Sequence, residues 1–541
     1  MKRLFTTLLL SGALWGQVMP SQQDSATLLF ANSDSAAALR ESAQELRRNP
    51  ADANAIFVHM EAARLQLLTR EELHDAIALL RITHGADSRA RLAADRVREL
   101  AVNTPAFRSA LPELMALLRA SSRYSREISD ALLAARADGV QIPRTAHLTS
   151  RLTRWQVAGP FGEFSNVDFD RSWPPEQDQL RAASYGARVR ESLIAEAGNL
   201  ELPNYFPQTG VYYAASNFRL TAARKYKITV ESDGTFELKL DGKPLLVHDA
   251  RFHSQKKISI VQTSLIPGEH RLMLKLKASA MPLRVWLEKE GRYSPERADI
   301  PKSEQFYLRA ANALLDSDPQ PALSIGSDSS SIEQTLLADA LSQIEQEQKQ
   351  REALQAAAKN DPNDALAIVQ LARLAFESER FGEAITYLAR VLQASADYWP
   401  AQELKYQIAF HFDWTQERAE ALRERLRLHP SCGAFLEAAK LRESSGKRAR
   451  TYESKLSTCS SKPYPYWERL AERGEHERVL ASVIDYARWH SADRRVLEIA
   501  IREAVLSSDK VAAARYAQAL AHVAPNWRWA GMLANNPESI L

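Results

Sequence analysis

DPNDALAIVQLARLAFESERFGEAITYLARVL, residues 361–392, sets the architecture of this chain. Asp361-Pro362-Asn363-Asp364 breaks the preceding segment, and Asp364 is placed to cap a new helix. Leu366, Val369 and Phe376, with the small Ala372, populate that helix. Glu379-Arg380-Phe381-Gly382 makes a turn. Ala384, Ile385, Leu388, Val391 and Leu392 then form one apolar stripe at helical spacing. Small residues at Ala372 and Ala384 let the two helices approach closely.

This pair of helices resembles a tetratricopeptide repeat, whose unit is about 34 residues of helix–turn–helix. Leu371-Ala372, Phe381, Ala384, Leu388 and Val391 occupy matching places. Pro362 and Pro430 stand 68 residues apart, two periods, with Ala396 in the intervening proline slot. Leu497, Ile501, Ala513, Ala517, Leu520 and Pro525 repeat the spacing near the end of the chain. Pro50-Ala51-Asp52-Ala53-Asn54-Ala55 begins a similar unit near the start, with its second helix, around Ala76-Ile77, displaced. One hairpin cannot bury both of its apolar faces, so such units stack and leave a curved inner surface. The resemblance implies a peptide or protein partner held on that surface.

Outward from this stretch the composition divides the chain. Residues 25–150 are rich in Ala, Leu, Arg and Glu, a helical repeat region. Residues 151–295 carry Gly, Pro, aromatics and period-two alternation, a β-sandwich. Residues 300–541 return to helical character, with a loop at Ser324–Ser331. The expected fold class is multidomain α plus β: tetratricopeptide-like solenoid segments flanking an antiparallel, jelly-roll-like sandwich. Strands are expected at Tyr212–Leu220, Tyr226–Glu231, Thr235–Leu240, Ile258–Val261, Leu272–Leu276 and around Val285 and Leu287. Phe236, Leu238 and Leu240 point inward, and Glu237 and Lys239 toward a wet outer face. Asp233-Gly234 and Asp241-Gly242 serve as turns, with the aspartates as turn residues rather than calcium ligands.

Two further resemblances bear on the middle region. Trp155-Gln156-Val157-Ala158-Gly159-Pro160-Phe161, followed by Phe169-Asp170 and Trp173-Pro174-Pro175-Glu176, resembles the leading segment of exported bacterial repeat proteins that carry a transglutaminase-like domain, a domain absent here. Leu240-Asp241-Gly242-Lys243 and Pro267-Gly268-Glu269-His270 resemble turns of sugar-binding jelly-rolls of the protective-antigen or galactose-binding type, so carbohydrate is a second partner class. The paired-aspartate calcium motif of those families is not visible.

Lys2-Arg3, the apolar run Leu4–Trp15 and the polar Ser21-Gln22-Gln23-Asp24 have the layout of a signal peptide over residues 1–20. The expected location is the periplasm or the extracellular space. No later stretch reaches transmembrane length. Net charge is +3, from 70 basic and 67 acidic residues, which gives no basic face for nucleic acid. The two cysteines, Cys432 and Cys459, are either a disulfide or two buried thiols.

The sequence carries no His-Glu-x-x-His, no Gly-x-Ser-x-Gly elbow, no phosphate loop, and no Cys in a transglutaminase-like setting. His248, Asp249 and His253 lack a recognised metal spacing. His411 and Asp413 sit among aromatics and read as packing. No cofactor, metal or catalytic residue is therefore assigned, and the expectation is a non-catalytic scaffold. Tyr398, Trp399, Tyr466 and Trp467 are the candidate partner-binding aromatics, with core packing as the alternative for each.

Overall fold

A computed structural model describes residues 24–541 apart from 84–87, 103, 120–123, 143–151, 195–198, 201, 203–209, 233, 252–256, 278–282, 290–299, 301, 317, 445–449, 457–463, 488–492 and 528. The signal-peptide expectation (1–20), Asp233, His253 and Cys459 lie outside the described residues.

Among the described residues seven helices precede the sheets: α1 (Ser25–Phe30), α2 (Ser35–Arg48), α3 (Ala53–Leu65), α4 (Thr69–Ile82), α5 (Ser88–Glu99), α6 (Pro105–Arg119) and α7 (Ser125–Ala137). Asp24, Asp34 and Asp52 cap the first three by accepting backbone N–H groups, which satisfies donors a helix start leaves open. After the sheets the helices resume with α10 (Lys302–Leu315), α11 (Gln320–Leu323), α12 (Ser331–Gln343), α13 (Glu347–Asn360), α14 (Ala365–Glu377), α15 (Phe381–Ala394), α16 (Trp399–His411) and α17 (Thr415–Leu428). They continue through α18 (Cys432–Ser444), α19 (Arg450–Leu456), α20 (Tyr464–Glu472), α21 (His476–Ala487), α22 (Arg494–Leu506), α23 (Lys510–Val523) and α24 (Ala530–Asn535). The 324–330 loop ends at Ser330, which forms a capping box with Glu333 at the start of α12.

The helical-repeat reading holds. Glu345, Glu379 and Asp413, each in the left-handed region with φ between 53° and 59°, close successive hairpins 34 residues apart. Leu67 has the same conformation between α3 and α4. Ala372, Ala384, Leu388 and Val391 are buried where the stripe places them, but Ile385 is exposed at the stripe's edge. Asp364 caps α14 through the Ala367 N–H at 2.8 Å and also accepts from Ser331 Oγ at 2.6 Å, tying α14 to α12.

The helices on the two sides of the sheet region share one core. Tyr307 and Leu308 of α10 and Ile332 and Leu336 of α12 are buried together with Leu29, Phe30, Phe57 and Met60 of the first three helices. The Phe30 and Tyr307 rings lie 5.3 Å apart. The Ser35 N–H donates to Asp361 Oδ2 at 3.1 Å, and the Ser331 N–H to Ser33 Oγ at 3.0 Å. The sandwich is thus an insertion into a continuous helical body.

That insertion contains β1 (Arg154–Phe161), β2 (Ser184–Tyr185), β3 (Arg188–Val189), β4 (Glu191–Ile194), β5 (Asn199–Leu200), β6 (Val211–Leu220), β7 (Arg224–Ser232), β8 (Phe236–Leu240), β9 (Lys243–His248), β10 (Lys257–Leu265), β11 (Gly268–Lys277) and β12 (Leu283–Lys289). A six-stranded sheet runs β4-β1-β6-β11-β8-β9 and a four-stranded one β10-β7-β12-β5; all pairs are antiparallel. Trp155, Tyr212, Ile228, Val230, Phe236, Leu238, Leu272, Leu274 and Val285 fill the space between them. β1 is an inner strand, paired with β4 and β6, not an edge. His248 ends β9, with its ring 5.4 Å from that of Phe236.

The expectation of a wet outer face on the larger sheet holds only at its margins, where Asn217, Arg219 and Val247 are exposed; its middle is covered. The excursion between β1 and β4, with α8 (Ser165–Asp168) and α9 (Pro174–Asp178), folds over it. Phe169, Leu180, Tyr213, Ala215 and Met273 make a second small core there. Glu176 accepts from Tyr213 Oη at 2.5 Å and from Lys239 Nζ and Lys275 Nζ, each at 2.8 Å. Burial opposes the Glu176 charge, but these three donors hold its carboxyl down at about 2. Trp173-Pro174-Pro175-Glu176 is therefore a clamp on the sheet. Asp241, at φ 50°, turns β8 into β9 as its type demands. Its carboxylate accepts the Arg271 N–H at 2.8 Å and lies 2.8 Å from His270 Nδ1.

The far end of the helical body meets the sheet at Asn526. Its Oδ1 accepts the Val189 N–H at 2.8 Å, and its Nδ2 donates to Val189 O at 2.5 Å and Glu191 Oε1 at 3.1 Å. Burial pushes the Glu191 carboxyl up to about 7, against the pull of Asn526 and Arg494. The native state therefore keeps this proton longer than the unfolded chain does. Stability falls as pH rises from about 4.5 through about 7. Glu191→Gln is expected to raise stability at pH 8 by about 2 kcal/mol, with the gain vanishing below pH ~4.5. Thermal melts of both proteins across pH 4–9 check this; a gain that does not change with pH would refute it.

Candidate functional site

A cavity of about 1350 Å³ opens on the inner surface between the helices before and after the insertion. One wall comes from α3, α4 and α5, the other from α10, α12, α14 and the start of α16. Its floor is a buried charge network. Glu61, with no exposed surface, accepts from Tyr307 Oη at 2.6 Å and from Arg96 Nε at 3.4 Å, and Arg64 Nη1 is 3.5 Å away. Arg96 Nη1 donates to Glu99 Oε2 at 2.8 Å. Asp95 is paired with Arg98. Arg64 Nη2 is 3.7 Å from Asp339 Oδ2, whose Oδ1 accepts from Gln370 Nε2 at 3.2 Å.

Burial shapes the ionisation here. It opposes the Arg96 and Arg64 charges, yet Glu61 and Glu99 hold both guanidiniums above their ordinary range. It also opposes the Glu99 charge, but Arg96 and Arg64 overcome it and depress that carboxyl. Asp339 is raised by burial despite Arg64. Glu72, on α4, is 5% exposed and pushed by burial up to about 8, against Arg96 and Arg64. Its carboxyl lines the cavity and has no hydrogen-bond or ion-pair partner among the described residues.

The sequence-predicted aromatics separate. Tyr398 and Trp399 are half-buried and line the cavity, with the Trp399 ring centroid 4.3 Å from that of His429. His429 Nε2 in turn meets Asp138 Oδ2, bridging the two helical stretches. Tyr466 and Trp467 face no surface: Trp467 is fully buried, and its Nε1 donates to Ser482 Oγ at 2.9 Å. Their hairpin is short and they fill its core. Cys432 is disulfide-bonded; its expected partner Cys459 lies outside the described residues. His411 packs against Phe381 at 4.5 Å, as aromatic packing. Asp249 pairs with Arg251, and no cluster of metal-ligating side chains occurs among the described residues. In 152–289, Phe164 is the one exposed aromatic among the described residues.

Sequence reading missed Glu61, Arg64, Glu72, Arg96 and Glu99. A signal was present: Glu61 and Arg64, and Arg96 and Glu99, are spaced i,i+3 inside alanine-rich helices, so each pair lies on one face. Which face would be covered depends on α10 and α12, over 200 residues away in sequence.

The fold and cavity define a helical-repeat protein with an inserted antiparallel sandwich. No family model matches the chain, and no curated protein matches it. Among solved structures it is similar to YrrB, described as a TPR protein with an unusual peptide-binding site, at 13% identity over 39% of this chain and 92% of that one, TM-score 0.20. A β-glucosidase from Kluyveromyces marxianus in complex with glucose is similar at 11% identity over 38% of this chain and 22% of that one, TM-score 0.18.

Proposed function

We propose that this protein is a non-catalytic scaffold of the bacterial cell envelope that holds a peptide or protein partner in the cavity between its two helical stretches. The observation that carries this is the cavity itself: concave, about 1350 Å³, walled by α3–α5 on one side and by α10, α12, α14 and the start of α16 on the other, and lined by charged side chains with half-buried aromatics at Tyr398 and Trp399. A cleft of that size and mixed lining suits an extended segment. Export is supported by the Lys2-Arg3 and Leu4–Trp15 layout and by the disulfide at Cys432, a bond that persists in oxidising compartments. Kinship with exported repeat proteins that carry a transglutaminase-like domain is part of the proposal; the Trp173–Glu176 block that suggests it acts here as a sheet clamp.

The test is site-specific photocrosslinking in an envelope extract of the source organism. A benzophenone side chain replaces Gln343, which lines the cavity, or Val511, which is exposed far along the helical body. A protein adduct is expected at 343 and not at 511. The same proteins at both positions, or none at 343, would reject the cavity as the binding surface.

A further inference from the structure

We propose that Glu72 is the base of a subsite for a cationic side chain of the lysine type, presented by the partner, with Arg373 at the rim taking a carboxylate of the same partner. This rests on the reading of the cavity as a partner-binding surface.

Glu72 differs from the other acids in and beneath the cavity, of which Glu61 and Asp95 are buried and Glu99 and Asp339 partly exposed. Glu61 is held by Tyr307 and Arg96, Asp95 by Arg98, Glu99 by Arg96, and Asp339 by Arg64 and Gln370. The two deep arginines are thus committed, and Glu72 alone among these carboxyls has no partner. A buried carboxyl left unpaired is costly, and a charged hydrogen-bond donor relieves that cost. The sign of the lining agrees once Glu72 gives up its proton: it then offers the acids Glu72, Asp95, Glu99, Asp339 and Glu345 against the bases Arg64, Arg96, Arg98 and Arg373. An added cation balances it, whereas an added anion would find both deep guanidiniums taken. Arg373, on α14, is exposed and has no ion pair among the described residues. Tyr398 is within electrostatic reach of both Glu72 and Arg373, so the three belong to one locale. Its ring, with that of Trp399, gives an ammonium stem an aromatic wall.

Occupancy carries a proton consequence. The charged groups acting on Glu72 are Glu61 and Arg64 of α3 and Arg96 and Glu99 of α5; Asp339 of α12, Arg373 of α14 and Tyr398 line the same cavity. In their field the empty carboxyl stays protonated to about pH 8. An arriving ammonium displaces that proton, so binding tightens as pH rises from 7 to 9 by about tenfold.

The experiment titrates the whole chain by calorimetry with acetyl-Gly-Lys-Gly-amide and with its norleucine counterpart, which keeps the shape and loses the charge. The lysine peptide is expected to bind at least ~10-fold more tightly than the norleucine peptide. Glu72→Gln should remove that preference and its pH dependence while melting no lower than the parent at pH 7. Equal binding of both peptides, an unchanged preference in Glu72→Gln, or no binding of the lysine peptide at ~10 mM overturns the subsite. If the preference fails while the adduct at position 343 persists, the cation subsite falls and the partner-binding surface stands. If both fail, the reading of the cavity falls with it.

Discussion

Residues 24–142 produced alone are expected not to fold, and to be recovered in folded form when co-expressed with residues 300–541. The first helices have no complete core of their own. Tyr307, Leu308, Ile332 and Leu336 come from beyond the insertion and are buried against Phe30, Phe57 and Met60. Each such side chain contributes about 1.5–3 kcal/mol when fully buried. Losing four of them removes an amount comparable to the ~5–15 kcal/mol by which a whole domain is stable. The loss also strands Glu61, which has no exposed surface and relies on the Tyr307 hydroxyl. Far-UV circular dichroism and limited proteolysis on the fragment, and co-purification with 300–541, measure this. A cooperative melt from 24–142 alone would show that the shared core is dispensable.

The same contacts explain what the sequence discloses and what it withholds. Local periodicity reports which face of an element is apolar. It located the α14–α15 hairpin and the inward faces of β7 and β8, where Tyr226, Ile228, Val230, Phe236, Leu238 and Leu240 are all buried. It does not report what lies on the opposite face. Lys239 reads as a solvent-facing residue, yet Glu176, 63 positions earlier, covers it. Period-two alternation is identical for a wet face and for one capped by a polar clamp. Likewise Trp399 and Trp467 look equivalent in sequence, each beside a tyrosine. One lines the cavity because α16 begins at its rim, and the other is closed in by Tyr464, Val483 and Val496 of the last hairpins. The cavity was the least legible feature, because its charges come singly or in pairs from helices far apart in the chain.

The largest single-residue effect is expected at Arg96. Arg96→Met keeps an unbranched apolar stem, shorter than that of arginine, and removes the cation that serves both Glu61 and Glu99. Arg96 is itself 4% exposed, at the base of the cavity. Breaking one partner out of a buried ionic network costs about 3–5 kcal/mol; here Glu61 stays desolvated while the Glu99 side chain, 52% exposed, is screened by solvent, so the lower end, about 3 kcal/mol, is expected. Tyr307→Phe removes one hydroxyl from Glu61 and is expected to cost less, about 1–3 kcal/mol. The two losses should not add, since both act through the same carboxylate. The pH dependence has a definite sign. Glu99 is depressed by Arg96 and Arg64 in the parent, so it contributes stability above the unfolded carboxylate pKa and loses it as pH falls. The gap between parent and Arg96→Met is therefore widest near pH 8 and narrows toward pH ~4, where the unfolded carboxyls take up protons. Urea unfolding followed by tryptophan fluorescence at both pH values reads the gap directly. A difference under ~1 kcal/mol at pH 8 would mean that the network contributes little and that apolar packing alone joins the two helical stretches.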